Sequence, residues 1–300
     1  TAPAPLGRCS RCGAYCHRCR GLSVSSVWDS QRLLALRGVR YRVRRAGEGA
    51  PLLLLHGFAG SSLLWTPLVP ELVARGWQVI APDLLGHGES DAPADPARYS
   101  ASEQVADLAA LLDALGLAAC TVAGYSMGGR LALHVAVRFP TRVTALVLES
   151  TSPGLADPAE RAARQRADEE LASRIEQHGI HWFATYWEQL PLFASRRALP
   201  AERTTLLRSQ WLAQRPHGLA ASLRGFSTGA MPPLWDRLHE LDQPVLIVTG
   251  ALDSKYVAIG RDMAGRIRRS QHIVVPEAGH TVHLERPDDW LAALDRLRSS

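Results

Sequence analysis

Ala119-Cys120-Thr121-Val122-Ala123-Gly124-Tyr125-Ser126-Met127-Gly128-Gly129-Arg130 decides how the chain is read. A short apolar, β-branched run ends in Gly-x-Ser-x-Gly, and a segment compatible with helix, residues 130–138, follows at once. Strand, sharp turn and helix in that order are the setting of a nucleophile elbow. There a serine sits at strained backbone angles with its hydroxyl lifted clear of a sheet. Gly124 and Gly128 are expected to be small because neighbouring backbone in so tight a turn collides with any Cβ. The plain alternative is a glycine-rich turn between strand and helix. The motif alone is common, so the flanks carry the reading, and they favour a reactive Ser126.

Working outward, residues 102–115 place leucine and alanine at helical spacing, with Gly116 as the stop. Further upstream, Leu52-Leu53-Leu54-Leu55 is an unbroken apolar strand of the kind buried on both faces of a parallel sheet. It runs into the glycine-bearing loop His56-Gly57-Phe58-Ala59-Gly60-Ser61. Val79-Ile80-Ala81 is another strand, and residues 67–75 read as an amphipathic helix between the two. Residues 32–45 alternate around Gly38 as an opening hairpin. Asp83 and His87 follow the 79–81 strand and are read as pins of a glycine-rich loop.

Downstream of the elbow, residues 143–148 form one more buried strand. The rhythm then breaks. From about 155 to 236 no convincing strand appears, only charged helical stretches punctuated by prolines. Strands resume at 245–249 and 273–275, and an amphipathic helix over 288–297 follows. Alternating strand and helix predict an α/β protein with a mostly parallel sheet flanked by helices. The helical stretch is a cap inserted after the sixth strand. The expected organisation is a tail over 1–28, a core over 29–154 and 237–300, and a cap over 155–236.

Composition sets the outer limits. With 300 residues, 46% hydrophobic and 21% charged, the chain has ample material for a core. No apolar run reaches the roughly 18 residues of a membrane span. The formal charge of +5 is uneven, because Arg8, Arg11, Arg18 and Arg20 lie in a tail without acidic residues. No nucleic-acid surface is read from it. Cys9, Cys12, Cys16 and Cys19 share that tail as C-x2-C-x3-C-x2-C. Zinc sites separate such pairs by longer loops, so no metal site is assigned. An acid-free, arginine-rich stretch reads instead as a transit or linker sequence. Cys120 reads as a small core hydrophobe.

A serine hydroxyl needs a histidine to take its proton and an acid to orient that histidine. The strand at 245–249 leads to Asp253, and the strand at 273–275 leads to His280. Each sits just past the C-terminal end of a strand, in the order serine, acid, histidine. Ser126, Asp253 and His280 are therefore the expected catalytic set. Glu277 is a weaker candidate for the acid, and His283 is expected to pack locally. The loop at 56–61 is placed where one amide of an oxyanion hole belongs.

Residues 31–298 resemble the α/β-hydrolase superfamily. Within it, Gly124-Tyr125-Ser126-Met127-Gly128-Gly129-Arg130 is similar to the 2-succinyl-6-hydroxy-2,4-cyclohexadiene-1-carboxylate synthase family, lyases of menaquinone and phylloquinone biosynthesis. Residues 149–155, the Glu160-Arg161-x-x-Arg164 segment, Leu207-Arg208-Ser209, residues 228–235 and 252–256 carry the same likeness. Phe58-Ala59-Gly60 and His280-Thr281-Val282-His283 depart from it mildly. The resemblance implies loss of pyruvate from a multi-carboxylate substrate by proton abstraction and elimination, with no metal or organic cofactor. It implies oxyanion amides at Phe58 and Met127, and substrate contacts at Ser61, Tyr125, Arg130, Arg164, Trp187 and Arg208. The cap arginines have a plainer reading as a solvated helix face.

Three alternatives stand beside this reading: an esterase or carbon–carbon hydrolase, a slow-turnover receptor, and a metal-binding tail fused to a hydrolase. Fusion to, or association with, other quinone-pathway enzymes is a further expectation. The tail suggests a plastid, the alternative being the cytoplasm.

Overall fold

The computed structural model describes residues 27–297 and, in the tail, a short antiparallel pairing of Arg8–Cys9 with Ala14–Tyr15. The side chains of the four tail cysteines, and with them the transit and metal readings, lie outside the described residues.

Eight strands form the main sheet. They are β1 Ser30–Leu36, β2 Val39–Ala46, β3 Ala50–Leu55, β4 Trp77–Pro82, β5 Cys120–Tyr125, β6 Val143–Glu149, β7 Val245–Gly250 and β8 Ser270–Val275. Their spatial order is β8-β7-β6-β5-β3-β4-β2-β1. β2 pairs antiparallel with both β1 and β4, and every other pairing is parallel. The opening hairpin turns through Arg37 and Gly38, both at positive φ, which suits the right-handed twist of its strands.

Side-chain alternation divides the core into two layers. Leu53 and Leu55 of β3 join Val122 of β5 and Ile247 of β7 on one face. Leu52 and Leu54 join Ala123, Val147 and Val248 on the other. All four leucines are fully shut from solvent, as the unbroken apolar run predicts. Helices α1 Val69–Ala74, α2 Ala101–Ala114 and α3 Met127–Arg138 connect these strands. Cys120 is buried in the core, and burial pushes its thiol up to about 12. Trp28 belongs to the core and not to the tail: it is buried, and its indole donates to Thr66 Oγ1 at 3.2 Å.

Between β6 and β7 the chain makes a helical excursion. It comprises α4 Pro158–Glu188, a 3-10 segment Pro191–Ala198, α5 Ala201–Leu212, α6 Pro216–Phe226 and a second 3-10 segment Trp235–Glu240. α4 is broken at Gly179, whose φ of 75° and ψ of −175° lie outside helical space. After β7 come α7 Ser254–Ala264, then β8, α8 Val282–Glu285 and α9 Pro287–Arg296. Among the described residues no helix is long and apolar enough to cross a membrane.

Candidate active site

β5, β7 and β8 run in the same direction, so their C-terminal ends share one edge of the sheet. Binding sites of open parallel sheets collect at that edge. Ser126 follows β5 directly and is held at φ 52° and ψ −106°, a left-handed conformation that a non-glycine residue adopts only under constraint. The two elbow glycines supply the constraint. A Cβ on Gly124 would stand 2.4 Å from the Gly128 carbonyl oxygen, and one on Gly128 would stand 2.2 Å from that of Leu55. Both obstacles are backbone and cannot swing aside.

The three loops converge. His280 Nε2 lies 3.1 Å from Ser126 Oγ, and His280 Nδ1 lies 2.7 Å from Asp253 Oδ2. With Nδ1–H donating to the carboxylate, Nε2 is free to accept the serine proton. The second oxygen of Asp253 accepts the Tyr256 amide at 3.3 Å, capping α7. His280 and Asp253 are both buried. Burial holds the His280 pKa below the ordinary histidine value, only partly offset by the hydrogen bond and charge of Asp253. The imidazole is thus neutral at neutral pH, as a base must be.

Above this relay a cavity enclosing about 950 Å³ of empty space, counting its open mouth, is walled by core and helical insertion together. Phe58, Tyr125, Met127 and Arg130 face it from the core, and Arg164 and Trp187 from the insertion. Met127 opens α3, so its amide has no acceptor within the helix. Phe58 and Trp187 meet edge to face at 5.3 Å between centroids, and Trp187 stacks on Phe183 at 5.2 Å. The Tyr125 hydroxyl is already engaged, 3.1 Å from Thr281 Oγ1.

Arg130 is the odd group. Its Nε is shut from solvent with no hydrogen-bond partner, and the guanidinium rests over the Phe226 ring at 5.6 Å. Burial pulls its pKa down to about 10, with the positive charge of Arg164 adding to the fall. The side chain is half-buried on the cavity beside the reactive serine, and no carboxylate among the described residues bonds to it.

Other expected site residues fall differently. Arg164 borders the cavity with its Nε 2.8 Å from both oxygens of the buried Asp168. Two expectations are corrected. Arg208 is not among the cavity residues: it is about 44% exposed and pairs with Glu188 at 2.5 Å, because its position on α5 faces the end of α4. Ser61 also turns away. Its hydroxyl lies 3.1 Å from Gln210 Oε1, and it caps the short 3-10 turn Ser62–Trp65.

Glu277 is ruled out as the acid, since its exposed carboxylate pairs with Arg286 at 2.6 Å. Asp83 and His87 pin their loop. Asp83 accepts the Ser62 and Glu89 amides at 2.8 and 2.9 Å, and His87 Nδ1 lies 3.0 Å from the Leu85 carbonyl. His283 does more than pack locally. Its Nδ1 lies 2.8 Å from Glu149, at the end of β6. The sequence reading missed Arg196, a buried guanidinium in the cavity wall. Nothing in Ser195-Arg196-Arg197 distinguishes it from a surface pair.

Residues 50–287 match the α/β-hydrolase fold family, and the chain belongs to it. It is 45% identical to the putative 2-succinyl-6-hydroxy-2,4-cyclohexadiene-1-carboxylate synthase of Bacillus subtilis, over 83% of this chain and 91% of that protein. It is 32% identical to the chloroplastic protein PHYLLO of Arabidopsis thaliana, over 83% of this chain but only 15% of that longer protein. The structure of MenH from S. aureus superposes with a TM-score of 0.81 at 35% identity, over 85% of this chain and 98% of that one. Within the fold family, the chain falls in the 2-succinyl-6-hydroxy-2,4-cyclohexadiene-1-carboxylate synthase branch.

Proposed function

We propose that the chain is a lyase that eliminates pyruvate from 2-succinyl-5-enolpyruvyl-6-hydroxy-3-cyclohexene-1-carboxylate, giving 2-succinyl-6-hydroxy-2,4-cyclohexadiene-1-carboxylate. The observation that carries this reading is the unpartnered guanidinium of Arg130 beside a serine–histidine–aspartate relay. An apolar acyl pocket has no use for such a cation, whereas a substrate bearing several carboxylates supplies its missing partner. Arginine suits the task because its planar fork meets a carboxylate with two parallel hydrogen bonds.

Ser126 gives its proton to His280, and Asp253 stabilises the imidazolium that results. The serine oxygen then removes a ring proton from the substrate. The electron pair of that C–H bond moves into the ring, and the bond to the enolpyruvyl oxygen breaks with its pair leaving on oxygen. The departing enolate takes the imidazolium proton of His280 on its terminal carbon to become pyruvate, which restores the relay. No acyl-enzyme forms. The amides of Phe58 and Met127 stabilise charge that builds on oxygen during proton removal. Arg130 and Arg164 hold substrate carboxylates, with Tyr125 and Trp187 shaping the walls.

The test is direct. Purified chain and enolpyruvyl substrate are mixed, and pyruvate is followed through coupled reduction to lactate. Sustained multiple turnover that is lost in Ser126→Ala supports the reading, and absence of pyruvate release overturns it. Likeness to a much longer chloroplastic polypeptide supports placement in a plastid and association with other quinone-pathway enzymes. The size and compartment of the native polypeptide on immunoblots of fractionated cells test both.

A further inference from the structure

Arg196 lies on the 3-10 segment Pro191–Ala198 of the insertion, only 8% exposed. Every acceptor that it reaches among the described residues is a neutral hydroxyl. Nε donates to Thr281 Oγ1 at 2.8 Å, and Nη2 donates to Tyr125 Oη at 2.9 Å and again to Thr281. One flat face covers the Phe193 ring at 3.7 Å. Nη1 has no acceptor among the described residues, and the side chain borders the cavity that holds Ser126, His280 and Arg130. Burial draws its pKa below the ordinary arginine value, against the opposing pull of Tyr125 and of the Glu285 and Glu149 carboxylates, neither of which bonds to it.

The two hydroxyls fix where this cation stands. Tyr125 immediately precedes Ser126, and Thr281 immediately follows His280. Arg196 is thereby tied to the neighbours of both members of the proton relay. The Nε and Nη2 edge of its guanidinium is spent on these hydroxyls, while Nη1 remains for a ligand. Arg130 enters the same cavity from the elbow helix, one turn after Ser126. Arg130 from the core and Arg196 from the insertion therefore face the same cavity with no carboxylate bonded to either among the described residues, whereas Arg164, which also borders it, is paired with Asp168.

We infer that Arg196 binds a carboxylate of the substrate in this cavity, as an anchor additional to Arg130 and Arg164. The inference rests on the lyase reading for the identity of the substrate, though not for the anion itself. A cation serving only to tie insertion to core has equal need of a counter-charge in the folded protein. Its acceptors here carry none, and a ligand carboxylate supplies it.

The experiment compares the full chain with Arg196→Gln and Arg196→Lys. Pyruvate release against substrate concentration gives kcat and KM separately, and succinate binding measured by calorimetry probes the anion site without turnover. Thermal midpoints of all three proteins report the structural contribution. The expected result is a KM raised about tenfold or more in Arg196→Gln with a smaller effect on kcat. Succinate binding weakens in parallel, and Arg196→Lys falls between. An unchanged KM and unchanged succinate affinity, with only the thermal midpoint lowered, would overturn the inference and leave Arg196 a strut. If Arg196→Gln does not fold, Arg196→Lys decides: wild-type KM and succinate affinity there count against the anchor. A wild-type chain that binds succinate through Arg196 but releases no pyruvate sinks the lyase reading alone.

Discussion

Glu149 and Ser126 are joined by a main-chain hydrogen bond of 2.9 Å from the serine amide to the Glu149 carbonyl. The carboxylate of the same Glu149 accepts from His283, through Nδ1 at 2.8 Å and the amide at 3.2 Å. The His283 ring in turn lies 5.0 Å from that of Tyr125 and 4.4 Å from that of Trp65. The elbow is thus supported from the end of β6 by a buried polar pair that takes no part in the chemistry.

That pair sets a stability prediction. His283→Ala leaves the buried Glu149 carboxylate with the residue-283 amide but without the imidazole, a loss of about 1–3 kcal/mol for a buried acceptor that loses a hydrogen-bond donor. Urea denaturation is expected to show a lower midpoint with an unchanged slope. A midpoint equal to wild type would show that water replaces the imidazole.

Ser126→Ala removes the proposed base and leaves the fold intact. Pyruvate release is expected to fall by at least roughly 10²–10⁴, the contribution of a positioned acid–base group. Circular dichroism and the thermal midpoint should stay at wild-type values. Activity that survived the change would place the base elsewhere.

The pH profile follows from His280. Its pKa is lowered by burial, so the active neutral form persists below the ordinary histidine range and is lost as pH falls through the lowered value. The acid limb of kcat/KM therefore lies on the acid side of pH 6.5. Asp253 opposes the lowering by hydrogen bond and charge. Asp253→Asn should move the limb further toward acid while reducing the plateau rate, because the imidazole loses its orienting partner. A limb displaced toward alkali would contradict this assignment.

Arg130→Met should separate activity from stability. Removing a half-buried cation that has no carboxylate partner is expected to leave the unfolding free energy of the unliganded protein unchanged or slightly raised. The same change lowers kcat/KM by about 2–5 kcal/mol, as for a buried charge pair that loses one member. Calorimetry and steady-state kinetics on one preparation read both effects. A fall in both quantities would mean that the guanidinium serves the fold.

Gly128→Ala probes the elbow itself. Its Cβ meets the Leu55 and His56 carbonyl oxygens at 2.2 and 2.7 Å, and neither can move without shifting β3 or its loop. The expected cost is about 1–3 kcal/mol with loss of activity, read as a lowered thermal midpoint.

Much of this was legible in the sequence because the determinants are local. Four consecutive leucines can be satisfied only where both faces of a strand are covered, and β3 is such a strand. Gly124 and Gly128 mark a turn whose steric demand is written in the residues themselves. The strand ends before Asp253 and His280 placed both residues on the edge that carries Ser126. The cap arginines resisted because their fate depends on how helices pack. Arg164 and Arg208 look equivalent on charged helices, yet one borders the cavity and the other meets Glu188 on the surface. Arg196 looks like half of an exposed pair until the 3-10 segment docks on Tyr125 and Thr281. His283 needed a partner 134 residues away, which no local pattern displays.

The most direct test sets two substrates against each other. The chain is given the enolpyruvyl intermediate and, separately, p-nitrophenyl esters of short acids, and kcat/KM is measured for wild type and Arg130→Met. The elimination account predicts a large preference for the enolpyruvyl substrate in wild type, collapsing when the cation is removed. Ester turnover far above pyruvate release, insensitive to Arg130, would contradict it.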